Sequence, residues 1–116
     1  ENDGQSRQLA RYVKETGERY VDNLEVLLEY RTDRFLRGGD HLPFLQKGFN
    51  AVRLTDMYEN FNHQHQDIRL EKNIQYGDLI QFIDFEYLRK TTAVNLSVLS
   101  NLSKSVGKPQ NVRMEV

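Results

Sequence analysis

Residues 38–56 read "GGDHLPFLQKGFNAVRLTD", and the way they are punctuated decides the fold. Gly38-Gly39 marks a turn, Asp40 is placed to cap a helix, and Pro43 is tolerated because it falls in the first turn. Gly48 stops that helix after about two turns, and "NAVRLT" (50–55) then reads as a strand. Ahead of it, "LEVLLEYR" (24–31) sets Leu24, Val26, Leu28 and Tyr30 on one face, the period of a strand. A helical crossover needs roughly a dozen residues, which the interval supplies, so the two strands are expected to be parallel. The pattern is α/β.

Outward from that centre, Ser6 can cap a helix whose Leu9, Tyr12, Val13, Thr16 and Tyr20 recur at three- and four-residue steps as a core face. Asp56 to Gln75 is polar and aperiodic, and loops longer than about 12–15 residues are usually functional or mobile. A long helix is expected from Tyr76 to about Lys104, its first half (Leu79, Phe82, Ile83, Phe85, Leu88) deeply packed. Gly107 and Pro109 end it, and "NVRMEV" (111–116) reads as a linker or the start of a further strand. The expectation is about three helices and two to three strands, with residues 1–105 as one unit and 106–116 as linker.

Composition excludes several classes. Sixteen basic and seventeen acidic residues give a formal charge of −1, and the signs are interspersed, so no basic face offers itself to nucleic acid. No apolar run is long enough to span a membrane, and the start "ENDGQSRQ" has no signal-peptide pattern. The lack of an initiator Met suggests a processed product or an excised piece. With no cysteine in the chain, any metal must sit on His, Asp or Glu.

Those ligand types concentrate in "NFNHQHQD" (60–67), which holds two of the three histidines. On an extended segment His63 and His65 point the same way and can share a metal. On a helical turn His63 and Asp67 become the neighbours, and the carboxylate can orient the imidazole. Neither H-x-H nor H-x-x-x-D is a specific pattern, and on spacing alone a solvated loop with two ordinary histidines is the favoured reading. A catalytic zinc takes three protein ligands, and nothing in the spacing shows that Asp40, His41, His63, His65 and Asp67 converge. Phosphate-cradling glycine loops, G-x-S-x-G and H-E-x-x-H are absent.

The order of the motifs carries more. "GGDHLPFLQKGFNAVRLTD", then "ENFNHQHQDIRLE", then "YGDLIQFIDFEYLRKTTAVNLSVLSNL" resembles the C-terminal part of bacterial two-zinc aminopeptidases, the zinc exopeptidase family that includes glutaminyl cyclase and transferrin-receptor relatives. The most specific part is D-H-x-P-F-x-x-x-G followed by H-x-x-x-D. The resemblance implies a fragment of an α/β/α sandwich in which His63 is a zinc ligand and Asp67 its companion. It implies that Asp40, His41 and Phe44 lie towards the substrate, and that the complete enzyme hydrolyses N-terminal peptide bonds with two zinc ions. Residence outside the cytoplasm, secreted or periplasmic, is also what the family suggests.

The sequence departs from that family in two ways. Many relatives place a Tyr before the ligand histidine to stabilise the oxyanion. Here that position is Asn62, whose amide can donate a similar hydrogen bond. The family's other ligands, a His, two Asp and a Glu, and its general-base Glu come from motifs that this sequence does not contain. The chain is therefore expected to be inactive alone, with a peptide substrate and the N-terminal part of the catalytic domain as partners. The competing expectation is a non-catalytic assembly module whose bare sheet edges self-associate.

Overall fold

The computed structural model describes residues 4–30 and 38–107. It contains α1 (Gln5–Tyr20), α2 (Leu42–Gln46), β1 (Arg69–Glu71), β2 (Ile74–Tyr76) and α3 (Phe85–Ser103), with a 3₁₀ turn at Ile80–Phe82. It is an α/β fragment of three helices and one two-stranded antiparallel sheet, in the register Arg69 to Tyr76, Leu70 to Gln75 and Glu71 to Ile74. The expected strand at 111–116 and Arg31 of the first expected strand lie outside the described residues.

The core lies between α1 and α3. Val13, Val21, Val94 and Val98 are buried, with Leu9, Tyr12, Leu24, Val52 and Ala93 packed against them. Val94 is 1% exposed and sits over Gly17, where an added Cβ would lie 3.0 Å from its Cγ1. The helices approach closely there because Gly17 has no side chain. Of the expected α1 face, Val13 and Thr16 are buried, but Tyr20 is 59% exposed and Val21 takes the inward place one residue later. Ser6 caps nothing: the helix begins at Gly4 without a side-chain cap, and the Ser6 hydroxyl accepts from Ala51 N–H.

The two expected parallel strands are extended segments without a ladder. Residues 24–28 keep the alternation, with Leu24, Val26 and Leu28 less exposed than their neighbours. The backbone of Val26 is held by α1 instead: its N–H donates to Glu18 Oε1 at 2.9 Å, and its carbonyl accepts from Lys14 Nζ at 2.7 Å. Ala51 in the second segment is held through Ser6. Among the described residues no strand pairs with either segment, so the side chains of α1 satisfy groups that a sheet would otherwise take.

The region expected as one long loop contains a hairpin. Lys72 and Asn73 have φ of 49° and 63°, the two positive values that a type I′ turn needs to match the twist of its strands. The helix expected from Tyr76 starts at Phe85, because Gly77 at φ +111° breaks the path and the Asp84 carboxylate caps the later start by accepting from Tyr87 N–H at 2.9 Å. Its expected deep packing is also corrected. Phe85 and Leu88 are 59% and 50% exposed, since the contact with α1 is made further along, at Val94 and Val98. Nor does Asp40 cap α2. His41 occupies the N-cap position without a side-chain hydrogen bond, and Gly39 turns at an ordinary φ.

Candidate functional site

The loop before the hairpin is built around Asn60. Its carbonyl accepts from His63 N–H at 3.0 Å, and its Oδ1 accepts from Asn62 N–H at 3.1 Å, so side chain and main chain close the same turn. Gly77 N–H donates to the Asn62 carbonyl at 2.9 Å and ties the end of the hairpin to that turn. The His63 ring lies flat on Phe82, with centroids 3.6 Å apart and planes 4° from parallel. The contact restrains the plane of the imidazole.

His65 stands apart from this arrangement. Its φ of +53° places it in the left-handed region, so the segment is neither the extended strand nor the helical turn that would have aligned the ligand types. Among the described residues no hydrogen bond or ion pair joins His63 to the Asp67 carboxylate, although the Asp67 carbonyl accepts from Arg69. The Asn62 main chain is committed to the turn, and its side-chain amide makes no hydrogen bond among the described residues.

The second group of expected site residues is elsewhere. Asp40, His41 and Phe44 line an open groove of about 390 Å³, floored by apolar side chains of α1, α3 and the second extended segment. His41 Nδ1 is buried there without a hydrogen-bond partner, 3.0 Å from where a Cβ on Gly39 would lie. Arg53 links the two regions: it donates to the Gly38 carbonyl at 3.1 Å and pairs with Glu59 at 3.5 Å. Glu59 in turn accepts from Gln64, within the histidine loop. Burial raises the pKa of the Tyr87 phenol, and the charge of Asp56 adds to the rise.

Asn60, Phe82, Arg53 and Glu59 were not singled out by motif spacing. Phe82 lies inside the apolar run expected as helix, Arg53 inside the expected strand 50–55 and Glu59 inside the expected loop 56–75. Asn60 alone left a signal, since Asn before a short polar run is a turn former.

Zinc can be tested against these donors. His63 offers one imidazole nitrogen, which fits one ligand position. Among the described residues no group of three His, Asp or Glu converges, so the described residues do not complete a zinc centre.

The chain is 50% identical over 115 residues to a probable zinc metalloprotease of Leptosphaeria maculans, an alignment covering 99% of this chain and 27% of the relative. A protein of the same name from Pyrenophora tritici-repentis is 47% identical (99% and 24%), and one from Pyricularia oryzae 41% (99% and 23%). The chain is a homologue of a segment of these proteins. The chain spans about a quarter of the length of the relatives it matches. No family model matches, and no solved structure matches. No helix of the described residues is long and apolar enough to cross a membrane.

Proposed function

We propose that this chain is the C-terminal portion of the catalytic domain of a zinc-dependent aminopeptidase, secreted or periplasmic, to which it contributes His63 as a zinc ligand. The observation that carries the reading is the His63 imidazole held flat on Phe82, in a chain alignable over 99% of its length with proteins named zinc metalloproteases. Zinc, when bound, supplies a water of lowered pKa and polarises the scissile carbonyl. Asp67 follows His63 in the motif as its companion, and the free amide of Asn62 is available to donate to the substrate carbonyl oxygen. Asp40, His41 and Phe44 shape the groove on the substrate side.

The purified 116-residue chain is expected to show no zinc-dependent hydrolysis of an aminoacyl-nitroanilide, and measurable turnover would overturn that. Should the reading frame upstream of Glu1 encode H-x-D and E-E motifs, the polypeptide that includes them is expected to hydrolyse the substrate. Its His63→Ala variant should lose more than ~100-fold, the upper range for groups that only support a ligand.

The second reading, an assembly module, has an observation of its own. The two extended segments lack ladder partners among the described residues, and pairing them with another chain would supply those partners. Light scattering across a concentration series tests it, and a monomer throughout argues against self-association.

A further inference from the structure

We propose that Asn60 is a positioning residue that selects the Nδ1–H tautomer of His63 and leaves Nε2 as the nitrogen carrying the lone pair. The consequence for metal binding rests on the reading of His63 as a zinc ligand; the tautomer itself does not. A backbone N–H can only donate, so the Asn60 atom facing Asn62 N at 3.1 Å is the carbonyl oxygen Oδ1. That fixes the amide, and the Nδ2 left over is the atom 3.3 Å from His63 Nε2. An NH₂ group also only donates. Nε2 is therefore the acceptor, and in a neutral imidazole the proton then sits on Nδ1.

Phe82 and Asn60 divide the work. Stacking on Phe82 holds the plane of the ring but is indifferent to a half-turn about χ2, which exchanges a nitrogen for a carbon at each position. Asn60 distinguishes the two orientations, because a ring C–H cannot accept its hydrogen bond. At 3.3 Å the bond is at the long end for N–H donors, so a cation at Nε2 displaces it at small cost. Nε2 is accordingly the nitrogen through which His63 binds zinc.

Nitrogen NMR of the full chain labelled with ¹⁵N-histidine tests this, with His63→Gln assigning the signals. Metal-free wild type is expected to show His63 protonated at Nδ1. Asn60→Asp keeps an acceptor for Asn62 N–H but turns a carboxylate oxygen towards Nε2, so the protonated nitrogen should switch to Nε2. Asn60→Ala should give a mixture. A wild-type Nε2–H tautomer, or an Asn60→Asp variant still protonated at Nδ1, overturns the proposal. In the longer polypeptide that adds the H-x-D and E-E motifs, Zn²⁺ should shift the Nε2 signal and leave Nδ1 protonated. If neither nitrogen responds there while the tautomer still switches in Asn60→Asp, the zinc-ligand reading fails and the positioning role stands.

Discussion

Val94, the most deeply buried residue of α3, rests on the bare backbone of Gly17 in α1, with room for nothing between them. Alanine in place of a helical glycine usually gains up to about 1 kcal/mol. Here the added methyl meets Val94 Cγ1 and Cγ2 at 3.0 and 3.2 Å, and a buried β-branched side chain has no second rotamer to retreat into. Overpacking costs about 1–3 kcal/mol, so Gly17→Ala is expected to destabilise the chain in urea melts. The double variant with Val94→Ala should recover part of the loss relative to additivity.

Gly77 holds the hairpin against the histidine turn. Its φ of +111° disfavours any side chain, and an added Cβ would lie 2.9 Å from Ile68 Cα, which is backbone and cannot swing aside. Gly77→Ala is expected to cost about 1–3 kcal/mol and to break the bond to the Asn62 carbonyl. In hydrogen exchange, residue 77 should lose its protection while the amides of α1 keep theirs. Unchanged protection at 77 would contradict the coupling.

Arg53 is the tie between the Gly38 turn and the histidine loop. Truncating it to Ala removes both the bond to the Gly38 carbonyl and the contact with the Glu59 side chain, which is 8% exposed. Hydrogen bonds to charged groups are worth about 1.5–3 kcal/mol, and a loss at the lower end of that range is expected for Arg53→Ala. Arg53→Lys should restore charge but not both contacts, because one ammonium does not reproduce the guanidinium fork.

Acid should release the first extended segment from α1. The hydrogen bond from Lys14, then that from Val26 N–H, lowers the Glu18 pKa below its ordinary 4.5. A carboxyl whose folded pKa is depressed stabilises the fold above the unfolded value and loses that contribution as pH falls through the folded one. The Val26 amide resonance is therefore expected to titrate below pH 4.5. In Glu18→Gln that transition should vanish, and its persistence would assign it to another group.

How much was legible in the sequence depends on which force decided each element. α1 and the second half of α3 could be read because Val13, Thr16, Val94 and Val98 recur with helical period and meet one another. The extended segments were read from real alternation, but alternation specifies a face and not a partner, and α1 side chains hold Val26 and Ala51 in place of a neighbouring strand. Leu79, Phe82 and Ile83 suit a helix, but the break at Gly77 and the cap at Asp84 decide where α3 begins. The histidine turn was invisible to spacing arguments. Its geometry comes from one Asn side chain bonding its own backbone, and from an aromatic ring nineteen residues away.

The packing of α1 on α3 also sets a timetable. Val13 and its partner Val94 are separated by about 80 residues, and chains are synthesised at about 5–20 residues per second. The apolar face of α1 therefore waits roughly 4–16 s for the helix that covers it. During synthesis, the nascent chain depends on whatever shields that valine face in the interval.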